Sequence, residues 1–489
     1  MDAARMPVIV GVGQVNDRAS ELDPMELMAA ALRVADEDAG GGWLAQLDAL
    51  SVVAQISFPE TGDLSKPLAA LLGASPRLCE QTRYPMGDSP VLLLDEAANR
   101  IAAGECAVAA IVGGEALRTA ALRAKVKSID AVRSSAAKAT RPYRQRYGLV
   151  APTDIYPLYE NACRAAWGQS LSEGQAESAD IWSAFSMVAA NNPGAWLQRP
   201  VTPHEVATVS ADNRPIAFPY TKLMVANSSV NQGAGFIVTS LARAREMGVA
   251  ADRIIYVGRG AGAREPGEVL ARDTYTHSAS MEATLRGALA FNGARVDDLD
   301  AVELYSCFPC VPKMARRIIG WPADRPMSVV GGLTFGGGPV GNYMSHAVGA
   351  MTNTLRAGAT TGLLFGNGGY ATTSHAILLS RDDRFARGGP QAFSVQAEAD
   401  ASRGPAPPVN ETHEGAATIE SYTVFYGRDG QPGSGVVVAR TPAGERTLAH
   451  VPGDDGDVIG FLTSGAVEPV GAAGLLRAGE DGLMRWRAG

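Results

Sequence analysis

Hydrophobic residues recur at helical spacing from Asp23-Pro24-Met25-Glu26 to about Asp38, and an apolar run, Leu47-Asp48-Ala49-Leu50-Ser51-Val52-Val53, follows as a strand. The same succession returns later. Met281-Glu282 opens a helix-period segment, and Leu299-Asp300-Ala301-Val302-Glu303-Leu304 follows as its strand. Further on, Pro90-Val91 and Pro339-Val340 each follow a glycine-containing turn and precede a helix that ends near Gly104 or Gly358. Each of these helices leads to an apolar strand, 107–112 or 362–365, closed by Gly113-Gly114 or Gly368-Gly369. The landmarks repeat at about 254 residues (25 to 281, 47 to 299, 104 to 358), which marks two copies of one α/β unit. Strand–helix alternation in each copy predicts a mostly parallel sheet covered by helices, and two such sheets back to back give a layered α/β core.

Two stretches follow neither copy. An insertion, 117–218, separates the first core half, 1–116, from its end, 219–262; the second half spans 263–387. After a Gly/Pro-rich linker, 388–416, the runs 418–426, 435–440, 446–451, 457–462 and 466–470 alternate with turn signals and predict a small antiparallel β-barrel over 417–489. The insertion begins with Arg118, Arg123, Lys125, Lys127, Arg133, Lys138, Arg141, Arg144 and Arg146 against the single acid Asp130. Such a stretch is either a solvated helical face or a landing surface for a polyanion such as a nucleotide or coenzyme A.

Composition narrows the function classes. Of 489 residues 46% are hydrophobic, 19% are charged and 55 are glycine, which describes an ordered protein rich in glycine loops. Lys+Arg at 43 against Asp+Glu at 51 gives a net charge of −8, which argues against a general nucleic-acid binder. The longest apolar runs, such as Val91-Leu92-Leu93-Leu94, fall far short of the ~20 residues that span a bilayer, so no membrane role is expected. The first residues read as a strand, not a signal segment. Five cysteines form no secreted disulfide framework, and a reducing cytoplasm is the expected setting.

Three stretches carry candidate chemistry. In Met86-Gly87-Asp88-Ser89-Pro90, Asp88 or Ser89 can cap the following helix, whose free amides would favour an anion or oxyanion. The run from Gly331 to His346 holds six glycines before Asn342 and enters a helix; His346 is a candidate base or a core histidine. Glu303-Leu304-Tyr305-Ser306-Cys307-Phe308-Pro309-Cys310 sits at a strand exit, where α/β sheets place ligands. Its Cys-x-x-Cys spacing lacks a second pair or a nearby histidine, so neither metal nor redox cofactor is expected.

Together with Asn227-Ser228-Ser229-Val230-Asn231-Gln232-Gly233-Ala234-Gly235, these motifs resemble the thiolase superfamily over residues 7–385, in particular the sterol-carrier-protein-thiolase branch and the bacterial thiolase-like proteins of type 1. The resemblance implies a thiolase fold: a duplicated, layered αβαβα core with an inserted loop domain, plus a C-terminal β-barrel. It also implies that the family's nucleophilic cysteine falls on Gly87, its Gly-His-Pro histidine on Gly338, its Asn-Glu-Ala-Phe motif on Tyr305-Ser306-Cys307-Phe308, and its Cys-x-Gly loop on Gly366-Asn367-Gly368. All four motifs lack their reactive side chain, so classical thiolysis or Claisen condensation is not expected.

The expectation is an acyl-CoA-binding acyltransferase homologue with a degenerate site, whose candidate groups are Tyr305, Cys307, His346 and Ser89. Ser228, Gly337, Gly338, Arg123 and Lys125 are the expected contacts to coenzyme A or acyl-CoA. A retro-aldol lyase acting on a CoA thioester, with Tyr305 taking a hydroxyl proton, and a non-catalytic acyl-CoA-binding scaffold are the alternatives. A monomer is expected, with a dimer as the other possibility.

Overall fold

The first helix begins where the sequence places it. Asp23 accepts from Glu26 N at 2.9 Å while the Glu26 carboxylate accepts from Asp23 N, and this capping box starts α1 (Pro24–Asp38). Pro90 in the first turn and Gly104 at φ +72° bound α2 (Ser89–Ala103). The computed structural model describes residues 2–124 and 141–489.

Nine strands form one sheet: β1 (Pro7–Asn16), β2 (Ala49–Val52), β3 (Leu78–Gln81), β4 (Val108–Ala116), β7 (Asn231–Ser240), β8 (Ile255–Arg264), β9 (Ala301–Glu303), β10 (Thr361–Gly368) and β11 (Thr373–Ser380). Their order is β3-β2-β4-β7-β1-β8-β11-β10-β9. The two copies therefore join edge to edge, through Val8 opposite Tyr256 and Ile9 opposite Ile255. α2 and its counterpart α7 (Tyr343–Arg356) pack on each other and on strands of both halves. α1 covers the first half and α5 (Ala279–Asn292) the second, so the αβαβα layering is present. The expectation of a mostly parallel sheet is corrected: β2/β3, β2/β4 and β9/β10 run parallel and the other pairs antiparallel. The reason is connectivity. Only four residues separate β10 from β11, a hairpin-length link that forces the antiparallel direction.

The insertion supplies α3 (Pro152–Ala166), α4 (Leu171–Ala190) and a short strand, β5 (Pro215–Ala217), and β6 (Tyr220–Thr221) follows just beyond it. Lys125, Lys127, Arg133 and Lys138 of the basic stretch lie outside the described residues. β12 (Gly415–Tyr426), β13 (Pro432–Arg440), β14 (Arg446–Pro452), β15 (Ala473–Ala478) and β16 (Met484–Ala488) close into a barrel in the order β13-β14-β16-β15-β12, with β12 paired back to β13. The β14/β16 pair is parallel.

The predicted strand at 457–462 is instead a helix, α8 (Gly456–Thr463), because Asp455 caps it from Val458 N and Ile459 and Leu462 bury one face three residues apart. The predicted strand at 466–470 is loop, and β15 and β16 take those places in the barrel.

The barrel is not a separate body. Val436, Val438 and Leu448 belong to the core cluster of the α/β layers. Arg446, fully buried, donates to the carbonyls of Leu270 and Arg272 at 2.6 Å each and pairs with Glu420 at 2.6 Å. Among the described residues no helix is long and apolar enough to cross a membrane, and no group of three or more His, Cys, Asp or Glu could hold a metal ion.

Candidate functional site

After β9 the chain turns through Tyr305, whose φ of +50° is a left-handed conformation that non-glycine residues seldom take. Its ring meets Tyr343 edge to face at 5.8 Å. Its hydroxyl reaches Gly87, where a Cβ would overlap Tyr305 Oη and the carbonyl oxygen of Asn367. Glycine at 87 is thus required by close approach. Burial pushes the Tyr305 phenol well above its usual range, and nearby Cys307, Asp88 and Glu303 act in the same sense, so it keeps its proton. That hydroxyl has no hydrogen-bond partner among the described residues.

The start of α2 departs from the expectation of free amides. Asp88 occupies the cap position without capping, because its Oδ1 accepts from Thr373 Oγ1 at 2.5 Å. Ser89 N donates to Met86 O at 3.0 Å, Pro90 has no N–H, and Val91 N and Leu92 N both donate to Asp88 O at 3.1 Å. The amides of Ser89, Val91 and Leu92 are thus engaged and not left over for an oxyanion. Ser89 is itself buried.

Cys307 lies within the core beside Tyr156 and Asn367. Burial pushes its thiol up to about 12, only partly offset by hydrogen bonding from Tyr156 and Asn367. Asn367 Nδ2 donates to Tyr156 Oη at 2.8 Å, Tyr156 Oη donates to Gly369 O at 3.0 Å, and Asn367 Oδ1 has no partner.

The glycine loop is wired to the end of β9. Glu303 accepts from Ser328 Oγ at 2.6 Å, Val329 N at 3.1 Å and Tyr343 Oη at 3.1 Å, and burial raises its carboxyl to about 7. Ser328 Oγ in turn accepts from Val330 N, Gly331 N and Gly332 N. Gly338 N donates to Asn227 O at 2.8 Å, which brings the exposed Ser228 beside Gly338. Gly337, at φ +101°, lies against the Gln232 carboxamide.

His346 is bonded to neither Tyr305 nor Cys307. Its Nδ1 donates to Gln14 Oε1 at 2.9 Å, and burial lowers it to about 3, so the ring is neutral with an unpartnered Nε2. Arg123 donates to Glu21 O at 2.6 Å and lies over the Phe58 ring. Lys125 lies outside the described residues.

Comparison with known proteins matches this geometry to a family. Residues 394–481 match the family described as the thiolase-like protein type 1 additional C-terminal domain. The crystal structure of a monomeric SCP2-thiolase-like protein type 1 from Mycobacterium smegmatis is similar with a TM-score of 0.83 at 31% identity, covering 100% of both chains. The chain belongs to the type 1 thiolase-like proteins.

This type 1 thiolase-like protein is also similar to the Ltp2-ChsH2(DUF35) aldolase (TM-score 0.61, 19% identity, 77% of this chain and 98% of that one). It is similar to the acetyl-CoA acetyltransferase of Syntrophomonas wolfei (0.57, 16%, 78% and 100%) and to human mitochondrial 3-ketoacyl-CoA thiolase (0.59, 14%, 78% and 100%). At those identities the likeness is one of fold. No curated protein matches the chain. Within the type 1 site, sequence reasoning missed Glu303, Asn367 and Tyr156. An acid inside the apolar run Ala301–Leu304 was the available signal for Glu303, and an amide between two glycines the signal for Asn367; nothing in the sequence singles out Tyr156.

Proposed function

We propose that this type 1 thiolase-like protein binds acyl-CoA thioesters between the start of α2 and the glycine loop, and does so without attaching the acyl group to a cysteine. The contact at Gly87 carries this reading: the space a nucleophilic side chain would occupy is filled by the Tyr305 hydroxyl. Burial holds the Cys307 thiol far above neutral pH, so it stays protonated and is a poor nucleophile. Neutral His346 is partnered to Gln14 rather than to a thiol.

Beside Cys307 and Tyr156, Asn367 Oδ1 has no partner among the described residues and can accept from a polar ligand. Ser228 beside Gly338 stands where the thiolase resemblance puts coenzyme A. The chemistry open to such a site is non-covalent. The Tyr305 O–H can donate to a thioester carbonyl oxygen and stabilise an enolate.

The unpartnered phenol favours retro-aldol cleavage as a second reading, and the Ltp2-ChsH2 aldolase offers a lyase on the same fold. In that reading Tyr305 acts as the acid, because its buried phenol keeps its proton; the base role suggested by sequence does not suit it. A monomer is proposed by analogy with the monomeric mycobacterial relative, and the free state of all five cysteines suits a reducing cytoplasm.

Isothermal titration with coenzyme A, acetyl-CoA and a steroidal acyl-CoA tests the proposal. Micromolar binding is expected, unchanged in Cys307→Ser, with no acyl adduct by intact mass. An adduct on any cysteine, or no binding of any thioester, overturns it.

A further inference from the structure

Two helices leave a groove between them beside the glycine loop. At the end of α4, Ala184, Met187, Val188 and Asn191 recur three and four residues apart and so share one helical face. At the end of α7, Ala350, Asn353, Thr354 and Ala357 repeat that spacing, and both stripes line one cavity of about 700 Å³. The chain entering the glycine loop completes the wall. Val329 lines the cavity, and Gly331, at φ +103°, runs so close to α4 that a Cβ there would meet Ala189 Cβ at 2.5 Å. Asn192, also in the wall, fastens this chain by donating from Nδ2 to Val330 O at 3.0 Å.

The chemistry of the wall selects its occupant. Among the described residues it holds no ionisable side chain, whereas other cavities of the molecule each carry a guanidinium, from Arg164, Arg141, Arg264 or Arg100. An anion entering this groove would give up water with no cation to replace it. Apolar contact is available instead. Met187, a large and adaptable side chain, is 52% exposed, and Val188, Pro193, Pro326 and Val329 extend its surface. The Asn353 carboxamide bonds to no described residue, and Asn191, whose Nδ2 donates to Met187 O at 2.9 Å, keeps its Oδ1 as an acceptor. From Ala184 to Asn191 the stripe runs about 10 Å at about 1.5 Å per residue, which suits a fused-ring body better than a long extended chain. The volume lies within the range of about 300–1,000 Å³ usual for small-molecule sites.

We propose that the groove between α4 and α7 is a second binding site, for an uncharged ring-bearing molecule that carries a hydroxyl or ketone. The two stripes hold its apolar body, and Asn353 and Asn191 orient its polar groups. This site shares no residue with the Tyr305 site and does not depend on acyl-CoA binding there. The phosphates of a CoA thioester would find no cation in this wall, so the occupant is a free molecule rather than a thioester tail.

Equilibrium dialysis of the full chain against pregnenolone and pregnenolone sulfate tests the site, because the two differ only by the added charge. Micromolar binding of pregnenolone is expected, with the sulfate at least tenfold weaker. Ala184→Trp fills the groove from an exposed position and should weaken pregnenolone at least tenfold while leaving the binding of a steroidal acyl-CoA unchanged. Asn353→Leu should weaken pregnenolone severalfold. No binding of pregnenolone, equal binding of its sulfate, or binding untouched by the tryptophan overturns the site. A parallel loss of acyl-CoA binding in Ala184→Trp overturns it too, since the groove would then hold the thioester tail. Should Ala184→Trp fail to fold, Ala357→Trp on the other helix carries the same expectations. If no thioester binds the protein at all, the pregnenolone result still decides this site by itself.

Discussion

At the scale of single residues, the site is defined by what Gly87 leaves out. Gly87→Ala is expected to destabilise the protein by about 1–3 kcal/mol, since its methyl group meets Tyr305 Oη and the Asn367 carbonyl. In a Tyr305→Ala background the loss should shrink without vanishing, because the Asn367 carbonyl stays. Denaturant melts of the two single variants and the double variant measure this coupling. Thiol chemistry gives a second expectation. Cys106, Cys163, Cys307 and Cys310 are buried and Cys79 is half-buried, so a thiol reagent at neutral pH should titrate Cys79 first and the others only on unfolding. Rapid native labelling of Cys307 would contradict its environment. At this scale the sequence revealed the missing cysteine and histidine, because motif positions are local. It did not reveal that Tyr305 fills the gap or that Asp88 binds Thr373, because those partners lie more than two hundred residues apart.

Between elements, Glu303 ties β9 to α7 and to the glycine loop through Tyr343 and Ser328. Its value is raised from 4.5 to about 7, so the folded state holds the proton more tightly than the unfolded chain does. Its contribution to stability is therefore complete below about pH 4.5 and is lost as the pH rises through about 7. Glu303→Gln, neutral at every pH, should flatten that decline by up to about 1.4 kcal/mol per pH unit. Denaturant titrations between pH 5 and pH 8 check the slope, and an unchanged slope would mean that Glu303 is ionised in the native state. The helices of both copies were legible because their caps are local in sequence: Asp23 with Glu26, Pro90, and Gly104. The strand directions were not legible, since periodicity says nothing about which way a neighbour runs. The short apolar run in α8 suited either element until Asp455 capped it.

For the whole molecule, the duplication read from spacing survives as two half-sheets, but nothing in the residue pattern indicated that the barrel shares the core. Arg446→Ala is expected to cost about 1–3 kcal/mol, because it strips the Leu270 and Arg272 carbonyls of their donor and leaves half-buried Glu420 with Arg440 alone. Removing residues 394–489 should yield no soluble fold in size-exclusion chromatography, whereas a barrel that merely hung from the core would be dispensable. The barrel also reaches back into the insertion: β5 and β6 extend its sheet, and Phe425 of β12 pairs with Ala217. On the ribosome this imposes an order of assembly. The insertion emerges first and waits for β12, some two hundred residues later, which at 5–20 residues per second is about 10–40 s. Through that interval the nascent insertion presents an unpaired strand edge, so chaperone occupancy during synthesis is expected to peak between its emergence and that of the barrel.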